Sequence, residues 1–198
     1  WVGDLASRGA CDALLADAES ALGRVTHFVH SASPPRREAD HAMAVDSETW
    51  AQMHAVNLDA GFHLARELAR KLIAAGEPGS FLLLTSLHAG TPRNLPHYST
   101  AKAGMAMLVK ELARTWGRFG IRVNALVPGA IAAGGFVADP SLARHIPLGR
   151  LGQADDLAPM ALAVLSNRIS AYVTGAAIVV DGGLSLTNWF EPPALDEI

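Results

Sequence analysis

Along the chain, short runs of apolar, β-favouring residues alternate with longer stretches in which apolar side chains return every three or four positions. That alternation predicts βαβ units around a parallel sheet. The first helical pattern starts at Ser7, a suitable N-cap, and runs through Leu14, Leu15, Ala18 and Leu22 to a stop at Gly23. A strand is predicted over Val25–His30, then a polar loop over 31–46 that carries Pro34-Pro35-Arg36-Arg37. A long helical pattern over 47–75 ends at Gly76, Pro78 and Gly79 and leads to a strand over Phe81–Thr85. After a loop with proline and glycine to about His97, a helix is predicted over Tyr98–Trp116 and a strand over Ile121–Leu126, broken by Pro128-Gly129. A stretch with Gly134-Gly135 and Pro140 precedes a helix over 154–166. The last strand is predicted over Ala177–Val180, turned by Asp181-Gly182-Gly183, with a tail carrying Trp189 and Phe190. The strands are near-continuous apolar runs, so helices are expected on both faces of the sheet. The pattern predicts a three-layer α/β sandwich.

Composition narrows the function more than the fold. With 198 residues, half of them hydrophobic, the chain has the size of one globular domain. A formal charge of −3 argues against nucleic acid or an anionic membrane as the main partner. A single cysteine, Cys11, excludes an internal disulfide and a thiolate zinc cluster. No apolar run reaches the roughly 18 to 20 residues of a membrane helix, and the first residues lack the basic and apolar regions of a signal peptide. A cytoplasmic protein is expected.

The chemistry concentrates at Tyr98-Ser-Thr-Ala-Lys102, where tyrosine and lysine four apart share one helical face. A phenol titrates near ~10, so its use as a base at neutral pH requires that its anion be stabilised, which a neighbouring ammonium does. Alone, such a pair also occurs on ordinary exposed helices. Twelve residues earlier, Ser86 stands at the end of a predicted strand, the place where open α/β sheets bind ligands. Its hydroxyl can either cap the loop or hold a substrate oxygen. Asn57, between Val56 and Leu58, is an amide in the middle of an apolar helical pattern, and either a satisfied core amide or a local opening of the helix accounts for it.

In that order, Asn57, Ser86, Tyr98 and Lys102 resemble the tetrad of the short-chain dehydrogenases/reductases, with the 3-oxoacyl reductases among the similar members. The resemblance spans the chain. Gly3-Asp4-Leu5-Ala6 is similar to the segment after the family's third strand, and Ile121–Gly129 to its sixth strand and Pro-Gly turn. Pro147–Gly152, Tyr172–Gly175 and Val180–Gly183 match its C-terminal signatures. The resemblance implies a Rossmann-like, doubly wound sheet and transfer of a hydride between NAD or NADP and a small carbonyl or secondary alcohol substrate. Tyr98 would be the acid/base. Lys102 would lower the tyrosine's pKa and hold the nicotinamide ribose, Ser86 would orient the substrate, and Asn57 would hold a water. Asp4, Leu5, Ser31, Ala32, Tyr98, Lys102, Pro128, Gly129 and Ile131 would contact the cofactor. Residues 131–148 would form a substrate lid and 184–198 a tail beside the pocket. Helices over 47–75 and 98–116 would pair copies into a homo-oligomer, a dimer or tetramer, their approach eased by small residues such as Ala103 and Gly104.

Four departures qualify the match. The family's Asn-Asn-Ala-Gly reads His30-Ser31-Ala32-Ser33 here, nearer the form of some pteridine reductases. A threonine expected after Pro-Gly is replaced around Ala132-Ala133, and the loop between Ser86 and Tyr98 is one residue short. The fourth is the largest: the Gly-rich turn that meets the pyrophosphate is not among the 198 residues, and with it the first βαβ unit of roughly 50 to 60 residues. Three accounts are open: a preceding segment, a second chain or strand exchange, or a shortened, non-catalytic scaffold that has lost nucleotide binding. Against a metal site, His27 and His30 are predicted on opposite faces of their strand. Asp155-Asp156 reads as first-turn acid on a helix, and Arg36-Arg37 as a solvated loop, with a role at a cofactor phosphate as the weaker alternative.

Overall fold

The computed structural model describes residues 1–132 and 140–186. Helix α1 (Arg8–Leu22) begins where Ser7 accepts a hydrogen bond from the Ala10 amide, and it stops at Gly23. Strand β1 (His27–His30) leads through the predicted loop into α2 (Ser47–His54), whose cap Asp46 accepts from the Thr49 amide. The long helical pattern is not one continuous α-helix. Residues Ala55–Asp59 form a π-helical turn between α2 and α3 (Ala60–Ala75). Gly76 ends α3 in the left-handed region at φ +67°, a conformation that favours glycine.

Strand β2 (Gly79–Leu84), helix α4 (Pro96–Trp116) and strand β3 (Ile121–Pro128) follow, then α5 (Ala154–Leu165), the short α6 (Asn167–Ser170) and β4 (Ala177–Val180). The four strands run parallel in the order β1-β2-β3-β4. The register sets Phe28 beside Phe81 and Phe81 beside Val123.

Helix α4 starts two residues before the predicted Tyr98, and three strand boundaries also differ from the sequence pattern by two residues. β1 begins two residues late at His27, although the Ser80 amide still donates to the Thr26 carbonyl. β2 starts at Gly79, where an added Cβ would meet the Leu72 Cδ1 methyl of α3 at 2.7 Å, so a larger residue would have to displace that side chain. β3 runs on to Pro128. The proline offers no N–H, but it closes the strand, and the next ladder bond passes from the Gly129 amide to the Val180 carbonyl.

Alternation along the strands sorts their side chains to two faces. Phe81, Leu83, Ile121, Val123 and Ala125 pack against α1, α3 and α4 through residues such as Leu15, Leu64, Leu68, Met105 and Trp116. Leu82 and Leu126 pack on the other face against Val164, with Leu157, Ala161 and Leu165 of α5 around them. Full burial of each such side chain contributes ~1.5–3 kcal/mol. Coverage of the second face is incomplete: Val29 of β1 is 45% exposed. Phe62 of α3 and Met107 of α4 are also exposed. No helix among the described residues is long and apolar enough to cross a membrane. The architecture brings the carboxyl ends of β1, β2 and β3 and the first turns of α4 to one rim; of the predicted site residues only Asp4, Leu5, Asn57 and Lys102 do not stand on or just after an element end.

Candidate active site

Leaving β2, the backbone at Ser86 is extended, and its Oγ accepts from the His88 amide at 3.2 Å. The opposite wall is the start of α4, with Pro96 in its first turn, where its missing N–H costs nothing. Two turns of that helix present Tyr98 and Lys102, buried to 7% and 3% exposure. Lys102 Nζ donates to the Leu84 carbonyl at 2.8 Å, which ties the lysine to the end of β2. The same ammonium lies 5.8 Å from the centroid of the Tyr98 ring. Burial and, after it, the charge of Arg36 lower the Lys102 pKa to about 8. The lysine is therefore still charged at neutral pH.

These groups border a cavity of about 690 Å³. Ser31 lines it from β1, Thr85 and Ser86 from β2, Tyr98 and Lys102 from α4, and Pro128, Gly129, Ala130 and Ile131 from the end of β3. Leu142, Leu184 and Ser185 line it as well. Of the predicted lid, residues 133–139 lie outside the described residues, as do 187–198 of the tail with Trp189 and Phe190.

Asn57 is fully buried in the π turn, behind the cavity wall rather than on it. Its Nδ2 donates to the Met53 carbonyl at 2.9 Å and to Ser33 Oγ at 3.3 Å, while Oδ1 has no partner among the described residues. His30, the first departure from the family's strand-end motif, has a clear physical place. Its ring lies against Gly61, and Nε2 bonds the carbonyls of Val56 and Asn57 at 3.1 and 3.0 Å. With the proton on Nε2 the ring donates to these two carbonyls of the π turn. Burial lowers its pKa, so the neutral ring is favoured.

Asp4, Leu5 and Ala32 do not line the cavity. Asp4 instead turns the chain into α1, its Oδ1 accepting from the Ala6 amide. Asp156 closes the N-terminus of α5: it accepts from the Gln153 amide and pairs with Arg150 through both carboxylate oxygens at 2.7 Å. Among the described residues no group of three His, Cys, Asp or Glu could hold a metal ion.

The expectation for Arg36 needs correction. It is not a solvated loop residue: it is half-buried and lines the cavity, its guanidinium carbon 4.8 Å from the Tyr98 ring centroid. His88 and Arg93 join it on that side. The usable signal was position, since Arg36 follows the carboxyl end of β1, where this sheet type places its ligand loops.

A family model described as enoyl-(acyl carrier protein) reductase matches residues 1–185. The galactitol 2-dehydrogenase (L-tagatose-forming) of Cereibacter sphaeroides is 35% identical, over 93% of this chain and 75% of that protein. The chain belongs to the short-chain dehydrogenase/reductase family. A second member of that family, the mouse (3R)-3-hydroxyacyl-CoA dehydrogenase, is 31% identical over 91% of this chain and 71% of its own. A gluconate 5-dehydrogenase from Burkholderia cenocepacia, solved with NADP and tartrate, superposes with a TM-score of 0.85 at 30% identity, covering 94% of this chain and 75% of that one. This short-chain dehydrogenase/reductase is an oxidoreductase with a Rossmann-like α/β fold.

Proposed function

We propose that the chain interconverts a secondary alcohol and a ketone with NAD or NADP as hydride carrier and Tyr98 as the acid and base. The observation that supports this most is the convergence of Ser86, Tyr98 and Lys102 on one cavity at the carboxyl ends of the strands. The residues present suit the nicotinamide-ribose end of such a cofactor. Lys102 spends one of its three donors on Leu84 and has two left for ribose hydroxyls. The Pro128–Ile131 segment offers a neutral wall for a flat ring. Asp4 and Leu5 are proposed at the adenine end, with Ser31 and Ala32 beside the crevice after β1. When bound, the nicotinamide supplies or accepts the hydride at the substrate carbon.

The protein's own groups manage the proton and the oxygen. Tyr98 gives or takes the proton at the substrate oxygen. Ser86 Oγ, which accepts from the His88 amide, keeps its hydrogen to donate to that same oxygen. Asn57 is proposed to hold a water behind the wall through its buried Oδ1. Residues 131–148 are proposed to cover the substrate and the tail over 184–198 to help shape its pocket; Ile131, Leu142, Leu184 and Ser185 of these segments line the cavity. No observation favours a non-catalytic scaffold, which has no use for all four tetrad residues.

Titration of NADH and NADPH against protein fluorescence, paired with Tyr98→Phe, tests the reading. One nucleotide is expected to bind. Tyr98→Phe is expected to lose turnover by at least about 10²-fold, the usual contribution of a positioned proton donor, with nucleotide affinity within a few-fold. Failure of both nucleotides to bind, or loss of nucleotide binding in Tyr98→Phe, overturns it.

A further inference from the structure

We infer that His88 sets the substrate class by accepting a hydrogen bond from a second hydroxyl of the substrate, on the carbon next to the reacting carbinol. The inference rests on the proposed reaction for the carbinol's place at Ser86 and Tyr98, and on the imidazole for the second group. His88 follows Ser86 by two residues, in the short 3-10 turn Leu87–Ala89, and lines the same cavity. That turn is pinned. The His88 amide donates to Ser86 Oγ at 3.2 Å, and the Thr91 amide donates to the Leu87 carbonyl at 3.0 Å. The imidazole meets the Tyr98 ring at 62°, with centroids 6.4 Å apart, which sets it beside the neighbour of a carbinol held at the phenol.

The two ring nitrogens have different tasks. Nδ1 lies 3.0 Å from the Thr91 carbonyl oxygen, and a carbonyl only accepts, so Nδ1 carries the proton. In the neutral ring Nε2 is then a bare acceptor, and it has no partner among the described residues. The neutral ring predominates at pH 7. Burial lowers the His88 pKa from 6.5, and the charges of Arg93 and Arg36 lower it further, against the Thr91 bond and the charge of Glu38. An acceptor fixed in a cavity wall selects a donor: it bonds an O–H and is left unmet by an ether, a second ketone or a carboxylate. The substrate pair is then a vicinal diol and the α-hydroxyketone it yields. Hydride passes from the carbinol carbon to the nicotinamide and the carbinol proton to Tyr98, while the second hydroxyl is held and does not react.

Oxidation at the secondary carbon is compared for propane-1,2-diol, for 1-methoxypropan-2-ol, which keeps the oxygen but lacks the donor, and for butan-2-ol, in which a methyl replaces the hydroxyl. With NAD or NADP, kcat/KM for the diol is expected to exceed that of either analogue by at least about tenfold, because the analogues leave the acceptor unmet. His88→Phe, checked by circular dichroism and thermal unfolding for an intact fold, is expected to bring all three within about threefold by slowing the diol alone. In the unaltered protein the diol's lead over the methoxy compound should fall as pH drops below 6.5, since a protonated Nε2 donates and an ether accepts as a hydroxyl does. Titration of Tyr98 acts on all three alcohols alike and leaves that ratio unmoved. Nitrogen NMR of the labelled histidine rings, with the His88 signals assigned by their loss in His88→Phe, reads the contact without turnover. The Nε2 signal is expected to be that of a bare nitrogen at neutral pH, to move with the diol and to stay with the methoxy compound. Equal kcat/KM for those two, a lead that His88→Phe leaves unchanged, a protonated Nε2 at neutral pH, or an Nε2 signal that the diol does not move overturns the inference. A diol shift at Nε2 without oxidation of any alcohol sinks the proposed reaction and leaves the inference standing. Oxidation without a lead for the diol does the reverse.

Discussion

Holding an ammonium at 3% exposure costs the folded chain free energy, and Lys102 shows how much. A pKa lowered from 10.5 to about 8 means the protonated form is disfavoured by folding; at about 1.4 kcal/mol per unit this is roughly 3 kcal/mol. The penalty is fully present below pH 8, where both folded and unfolded chains carry the proton. Between pH 8 and 10.5 the folded chain holds fewer protons than the unfolded one, so stability rises with pH across that window. Lys102→Met removes the charge at similar length and orphans only the Leu84 carbonyl. In urea unfolding the variant is therefore expected to be more stable at pH 7 by about 1–2 kcal/mol, once the lost hydrogen bond is subtracted. The difference should vanish or change sign by pH 10. An offset independent of pH counts against the burial penalty. A residue that costs stability and is kept beside a tyrosine in a cavity wall is what a functional role for the pair predicts.

At the scale of elements, most of the architecture was legible because each signal was local. Ser7 and Gly23 bracket α1 as their capping chemistry requires, and the apolar runs became β2, β3 and β4 in parallel pairing. The π turn was not legible, although Asn57 hinted at it, because it depends on a partner 26 to 27 residues away: His30 accommodates the carbonyls of Val56 and Asn57. That Ser86, Tyr98 and Lys102 meet at one cavity was readable from spacing and resemblance, whereas the place of Arg36 was not, since only the folded loop lays it over Tyr98. The His30 contact makes the acid limb of stability predictable. Burial lowers the His30 pKa, so below the unfolded value of 6.5 the unfolded chain binds the extra proton first, and stability falls as pH falls. His88 and His97 are shifted the same way and add to that slope. His30→Leu leaves two buried carbonyls short of a donor and is expected to cost about 1–3 kcal/mol at pH 7. It should also shrink the loss between pH 6.5 and 5. A variant that keeps the full acid slope shows that other groups carry it.

Among the described residues, the layers on the two faces of the sheet are unequal. One face carries α1, α3 and α4 over a broad apolar cluster, while the other is covered mainly by α5 on Leu82 and Leu126. What attaches that thinner layer is Arg122, a buried side chain of β3 that points into it. Its Nη1 donates to the Val164 and Val173 carbonyls at 3.0 and 3.1 Å. Its Nη2 reaches Ser80 Oγ, the Leu165 carbonyl and Asn167 Oδ1 at 2.8, 3.0 and 2.9 Å. One guanidinium thus joins two strands to the end of α5, the start of α6 and the loop before β4. Val164 and Leu165 belong to the last turn of α5, whose unpaired carbonyls and negative dipole end favour a cation. Arg122→Leu keeps bulk but strands those acceptors in a dry layer, so a loss of about 1–3 kcal/mol is expected. Arg122→Lys, with one donor head and no fork, should recover less than half of it. The loss should also be local before it is global: amide exchange in α5 and α6 is expected to accelerate well ahead of α4 in Arg122→Lys. Uniform acceleration across both layers would show the two faces unfolding as one unit, with no separate attachment at Arg122.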